Sequence, residues 1–329
     1  MTSGSSSNAA YKPFCPRPWL RNAHLQSILA SSRIRASGPN PMADAARMMI
    51  LETGDGTRLM GYFSENPAAD GSGLVTLLHG WEGSADSAYI LSTARYLYRK
   101  GFSIFRLNYR DHGDSHHLNE GLFHGALLDE TFSGVLQSSK LAGRNPFFII
   151  GFSLGANFAM RIALRHACEP ISGLKHVIAI SPSLNPHRTT LAVDQGPLIY
   201  RLYFMRKWKR SLRKKEVIFP HRYHFGDILK EKTLLGLTEA LRDYYPEFSN
   251  YMEYFRQYTI AGDAMKKLTV PVTVIASEDD PVVPVEDVIC LHNSPFLNRI
   301  IFRYGGHCGF IERFPSDCWY EQEAARLFS

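Results

Sequence analysis

From residue 74 onward, short apolar runs alternate with stretches of helical periodicity. The runs are Leu74 to Leu78, Phe102 to Leu107, Phe147 to Ile150, His176 to Ile180, Val272 to Ala276 and Arg299 to Phe302. Each is nearly continuous rather than alternating, which predicts strands covered on both faces, as in a parallel sheet with helices above and below. Ahead of them, residues 47–63 carry apolar runs on either side of Gly54-Asp55-Gly56, the pattern of a hairpin. Pro13 to Ser32 sets aromatics and leucines between prolines and predicts a segment docked on the body. The polar first decade, MTSGSSSNAA, predicts a floppy start.

The strand rhythm stops near residue 185 and resumes near 265. A gap of that length between strands predicts a mostly helical cap over the sheet edge where a ligand sits. The expected organisation is a docking extension at 1–45, an α/β core made of 46–184 and 266–329, and a cap insertion at 185–265.

Composition narrows the class. With 329 residues, 45% apolar and 21% charged, the chain is neither a disordered tail nor a fibre nor a disulfide-stapled mini-domain. No run approaches the roughly 20 apolar residues of a membrane span, so a soluble protein is expected. The net charge of +6 is concentrated between Arg201 and Lys215, which hold eight Lys or Arg and no acid, and the remainder is slightly acidic. That distribution excludes a general nucleic-acid binder. At about 100° per residue, Leu202, Phe204, Met205, Trp208 and Leu212 fall on one side of this stretch, and Arg206, Lys207, Arg210, Arg213 and Lys214 on the other. Such a helix fits a cap with its apolar face on the active site, and equally a peripheral contact of residues 201–215 with an anionic membrane surface. The cysteines, Cys15, Cys168, Cys290, Cys308 and Cys318, are odd in number and lack CxxC spacing, which predicts reduced thiols. The N-terminus lacks a secretory signal, and a cytoplasmic location is expected.

The strongest chemical signal is Gly151-Phe152-Ser153-Leu154-Gly155, between an apolar strand and the helical run ANFAMRIALRHA. A serine on this turn is held out of the sheet, and side chains at the flanking glycines would collide with backbone. The following helix aims its first amides at the serine. Ser153 is therefore the candidate nucleophile. A tetrahedral oxyanion needs two preorganised N–H groups; Leu154 offers one, and Trp81, in the strand-end turn His79-Gly80-Trp81-Glu82-Gly83, the other. His79 reads as a turn histidine bonded to nearby backbone. The general base should sit after the last strand, where Gly305-Gly306-His307-Cys308-Gly309 lets His307 reach back over the sheet edge. The acid should follow the preceding strand, where Glu278, Asp279 and Asp280 stand together before Pro281.

Strand-end turn, elbow, acid loop and histidine loop follow one another in the order of the α/β-hydrolases, which the chain resembles over nearly its whole length after residue 45. Within them it resembles the YheT-like branch, related to the ABHD-type esterases and lipases, in RNAHLQSIL at 21–29, HGWEGS at 79–84, LNYRDHGDS at 107–115, GFSLGAN at 151–157 and EDDPVVP at 278–284. The resemblance implies hydrolysis of carboxylic esters, acylglycerols or other lipid-like esters among them, with no cofactor and no metal. Its spacing of the acid from a Val/Ile pair favours Asp280 over Asp279. The apolar N-terminal segment of membrane-anchored relatives is missing from this sequence. Two rival functions share the same residues: an acyltransferase, and a hydrolase-like protein that binds lipid or a partner without turnover. A peptidase on the same triad is a third.

Two weaker patterns remain. His124 and Asp129 have the H-x₄-D spacing associated with acyltransferases, but residues five apart on a helix do not face each other. Asp111, His112, Asp114, His116 and His117 include metal-ligating types, although such a loop more often holds its own turns together.

Overall fold

The structure is a computed structural model that describes residues 11–68 and 71–329. The expected floppy first decade lies outside the described residues. Eight strands form the central sheet: β1 (Ala46–Glu52), β2 (Arg58–Ser64), β3 (Leu74–Leu78), β4 (Ser103–Asn108), β5 (Phe147–Phe152), β6 (Leu174–Ile180), β7 (Val272–Ser277) and β8 (Leu297–Phe302). They are ordered β1-β2-β4-β3-β5-β6-β7-β8. β1 and β2 form the hairpin read from the sequence, pairing Ala46 with Ser64 through Glu52 with Arg58. β2 also runs antiparallel to β4, and every later neighbour is parallel. The hairpin turn is tied by Asp55, whose Oδ1 accepts the Thr57 amide at 3.0 Å.

The helices are α1 (Ala23–Ala30), α2 (Pro41–Asp44), α3 (Ala88–Arg99), α4 (Leu128–Ser139), α5 (Leu154–His166), α6 (Pro186–Gln195), α7 (Leu198–Ile218), α8 (Leu234–Ala240), α9 (Tyr251–Gln257), α10 (Glu286–Ile289) and α11 (Trp319–Phe328). Along β5, Phe147 and Ile149 pack into one core with Phe132 of α4 and Phe158 of α5. Phe148, Ile150 and Phe152 pack into another with Ile90 of α3 and Trp319 of α11. Both faces of the strand are buried, and this is why its sequence is continuously apolar. Among the described residues no helix is long and apolar enough to cross a membrane.

Between β6 and β7, helices α6 to α9 form a separate apolar cluster. Val193, Met205, Leu212, Leu237 and Phe248 pack there with Val282 and Val283 from the loop after β7. α7 turns Met205 and Leu212 inward, as its periodicity predicts. One residue departs from that reading. Leu202 is 58% exposed although it lies on the predicted apolar side. Lys215 is buried, because its ammonium donates to Asp111 Oδ1 at 2.7 Å and to the Gly121 carbonyl at 3.1 Å in the loop after β4.

Candidate functional site

Ser153 occupies the sharp turn between β5 and α5, with φ 54° and ψ −115°. This left-handed conformation is costly for a residue with a side chain and persists only where its surroundings enforce it. The glycines supply the room. A Cβ at Gly151 would lie 2.2 Å from the Gly155 carbonyl oxygen, and one at Gly155 would lie 2.3 Å from that of Leu78.

The strand-end turn after β3 abuts this elbow, since a Cβ on Gly80 would sit 3.2 Å from Ser153 Cβ. Trp81, Ser153 and Leu154 all line one cleft. Among the described residues, neither the Trp81 nor the Leu154 amide has an acceptor within the protein. The rest of the turn is tied down. The Gly80 amide donates to Tyr89 Oη at 3.0 Å, the Gly83 amide to the Gly80 carbonyl at 2.9 Å and the Glu82 amide to His112 Nε2 at 3.1 Å. His79 has the expected turn role, its Nδ1 lying 2.8 Å from the Gly80 carbonyl oxygen. Burial keeps His79 well below the usual histidine pKa and lowers His112 to about 4, so both rings are neutral at pH 7. Burial also pushes the Glu82 carboxyl up to about 8, against the pull of Lys207.

His307 follows β8 on a loop with four residues of positive φ, Gly305, Gly306, Cys308 and Phe310. A Cβ at Gly306 would come 2.3 Å from the Ala23 carbonyl oxygen, so only glycine lets the loop lie this close to α1. His307 Nδ1 is 2.9 Å from Asp280 Oδ2. The other oxygen, Oδ1, accepts the Val282 and Val283 amides at 2.8 and 2.9 Å. Asp279 faces elsewhere, its Oδ1 accepting the Gly306 amide at 2.8 Å. Burial opposes charging of the ring, but the Asp280 carboxylate outweighs it and holds His307 well above the usual histidine value.

The elbow and the histidine loop meet at one carbonyl. Ile180 O, at the end of β6, accepts the Ser153 amide at 2.9 Å and lies 4.0 Å from Cys308 Sγ. The next residue, Ser181, accepts the Cys308 amide at 3.1 Å through its hydroxyl. Residues 153 and 307 thus belong to the same C-terminal rim of the sheet, where ligands bind in open α/β folds.

Sequence reasoning missed the group that fixes the histidine loop. On α1, Ser27 Oγ accepts the His307 amide at 2.8 Å, and Gln26 Oε1 accepts the Ile311 amide at 2.9 Å. His24 Nδ1 lies 2.9 Å from Tyr200 Oη on α7, so the same helix touches the cap. The only sequence signal was the RNAHLQSIL string itself, which carries no indication of what it binds.

The cleft has a cavity volume of about 100 Å³ and opens to solvent. Aromatic rings form much of its wall, with Phe204 and Trp208 of α7 set against the Trp81 ring and Phe123, Tyr254 and Tyr258 also lining it, beside the hydroxyls of Ser183, Thr189, Thr190 and Thr238. His124 also lines it, but pairs with Glu247 at 2.9 Å, while Asp129 pairs with Arg165; the H-x₄-D residues are not partners. In the loop after β4, Asp111 is held by Lys215, and His112 Nδ1 lies 2.7 Å from the Arg110 carbonyl oxygen. Asp114 meets Lys214 at the surface. Among the described residues no three His, Cys, Asp or Glu gather as metal ligands, and all five cysteines are unpaired.

Comparison with known proteins agrees with this architecture. A family profile described as alpha/beta hydrolase fold matches residues 73–314. An abhydrolase domain-containing protein of Dictyostelium discoideum is 22% identical over 325 residues, covering 96% of this chain and 80% of that protein. Phospholipase ABHD3 of Mus musculus is 22% identical over 302 residues, covering 86% and 71% of the two chains. Among solved structures, the Pyrococcus furiosus esterase Pf2001 superposes with a TM-score of 0.56 at 16% identity, covering 88% of this chain and 95% of the esterase.

Proposed function

We propose, from the premise that this chain belongs to the α/β-hydrolase family in its ABHD-type branch, that it is a serine hydrolase cleaving carboxylic esters with apolar, lipid-like groups. The observation that carries the reading is the His307–Asp280 pair at 2.9 Å on a loop that shares the Ile180 carbonyl with the Ser153 amide.

In this reading Ser153 Oγ attacks the ester carbonyl while His307 Nε2 takes the hydroxyl proton. Asp280 holds the tautomer with the proton on Nδ1 and stabilises the imidazolium that forms. The carbonyl oxygen, now an anion, is bound by the Trp81 and Leu154 amides, which are free to donate. Collapse of the intermediate breaks the bond to the alkoxy oxygen, which leaves as the alcohol with the proton from His307. Water then attacks the acyl-enzyme, giving its proton to His307, and the second collapse returns that proton to Ser153 as the acid departs. The rings lining the cleft favour an apolar acyl or alkyl group, and the similarity to a mouse phospholipase supports the same substrate class.

The test is fluorophosphonate labelling together with ester turnover by wild type and Ser153→Ala. Labelling should map to Ser153, and the variant should lose a factor of about 10⁴ to 10⁶ in kcat. Turnover within tenfold of wild type in the variant would remove Ser153 as nucleophile.

A further inference from the structure

α7 presents two faces. The inner face places Phe204 and Trp208 on the cleft and buries Met205 and Leu212. The outer face carries, in its first two turns, Leu198, Ile199, Leu202 and Tyr203, which are 53%, 56%, 58% and 45% exposed. Single exposed apolar residues are ordinary, whereas four on adjacent turns of one helix form a patch that needs a partner. The next turns of the same face carry exposed Arg206, Arg210, Arg213 and Lys214. Of these cations only Lys214 has a carboxylate partner among the described residues, the largely exposed Asp114.

We propose that this outer face of α7 docks on an anionic lipid bilayer, the apolar turns entering the headgroup boundary and the basic turns lying on the lipid phosphates. The charge pattern selects this occupant. A second copy with its α7 parallel to this one would bring the same arginines toward one another, whereas a surface of phosphate groups is complementary to all of them. The helix, about 30 Å long, lies along the boundary as interfacial amphipathic helices do. This assignment differs from the face that periodicity alone would give to lipid: Phe204, Met205, Trp208 and Leu212 are already used by the cap and the cleft. It deepens the ester-hydrolase reading, since the helix that walls the cleft would also hold the enzyme where lipid esters reside. It is tested by binding, which needs no turnover.

The experiment is co-sedimentation of the full chain with phosphatidylcholine vesicles, with and without phosphatidylserine. Wild type should sediment with the mixed vesicles, far less with the neutral ones, and less as salt is raised. Leu198→Glu/Leu202→Glu and, separately, Arg206→Gln/Arg210→Gln should each reduce binding to the mixed vesicles by about tenfold or more. Unchanged circular dichroism and melting would show that both variants are folded, and labelling of Ser153 should be unaltered because none of the four residues lines the cleft. Wild type that fails to sediment with anionic vesicles overturns the proposal. So does equal binding to neutral vesicles, or folded variants that bind as wild type does. Self-association of the wild type that disappears in the variants would also overturn it, assigning the patch to a second copy.

Discussion

Ser27 Oγ accepts the His307 main-chain N–H at 2.8 Å, joining residues 280 positions apart in the chain. The same hydroxyl donates to the Ala23 carbonyl within α1 at 2.7 Å, so its orientation is fixed by the helix. Ser27 therefore acts on the chemistry only through the loop that carries the imidazole. Ser27→Ala leaves a partly buried amide without its acceptor, at a cost of about 1–3 kcal/mol. The expected result is a fall in kcat of about tenfold or more with little change in KM, because ring placement rather than substrate binding is disturbed. Ser27→Thr, which restores the hydroxyl, should recover most of the rate. Steady-state kinetics check this, and a lowered melting temperature with unaltered kcat would reduce Ser27 to a stabilising contact.

The neighbouring carboxylates should separate cleanly. Asp280 touches the imidazole, whereas Asp279 touches the Gly306 amide. Asp280→Asn should reduce ester kcat by about 10⁴, as loss of the orienting carboxylate does in other triads. Asp279→Asn keeps an amide oxygen able to accept the Gly306 N–H, and should cost about tenfold or less by the same comparison. Turnover measured side by side would reverse the assignment if Asp279→Asn proved the more damaging.

A pH profile reads the same pair. The base must be neutral to accept the Ser153 proton, and Asp280 raises the pKa of His307. Activity should therefore rise with pH through a midpoint above about 6.5, the ordinary histidine value. In Asp280→Asn burial, which disfavours the charged ring, is opposed only by the Cys308 thiol, so the midpoint of the residual activity should move down. The pair also stabilises the fold with a definite sign. A group with a raised folded-state pKa contributes fully below its unfolded value and loses that contribution as pH climbs through the folded one. A kcat/KM profile for wild type centred below pH 6 would contradict the electrostatics described.

The cap is fastened to the core by a buried charge. Lys215 of α7 donates to Asp111, and Asp111 Oδ2 accepts the amide of Phe123, a cleft-wall residue, at 2.9 Å. Lys215→Met leaves the Asp111 charge uncompensated and several carbonyls without their donor, for which the expected loss of stability is about 3–5 kcal/mol. Adding Asp111→Asn should recover part of that loss, since the uncompensated charge is gone. Denaturant unfolding of the two variants measures both quantities, and additive losses would mean that the pair is not coupled.

The particular residues show how far the sequence reaches. Gly151 and Gly155 are required by collisions within a few positions of the serine or with the adjacent strand end, and a five-residue motif records them. β5 is continuously apolar because helices cover both its faces, and that too is written locally. His112, by contrast, sits in a loop with ligand-like residues, and nothing nearby reveals that its ring accepts the Glu82 amide of the turn after β3. Lys215 looks like one more solvated cation in a basic run until the loop after β4 folds against it. Leu202 is grouped by sequence with the inward residues, yet at that level of α7 Tyr200 and Met205 fill the cluster and Leu202 is left in solvent.

By itself, the amino-acid order determined the layered α/β architecture, the elbow that strains Ser153 and the strand-end position of His307, because each follows from sterics or burial repeated over a few residues. The resemblance favoured Asp280, and its carboxylate does meet the imidazole; the tertiary structure alone decided that α1 braces the histidine loop, that Leu202 is left in solvent and that Lys215 is buried. These depend on hydrogen bonds and packing between segments far apart in the chain. Such contacts are selected by the geometry of the whole fold and leave no periodic mark along the sequence.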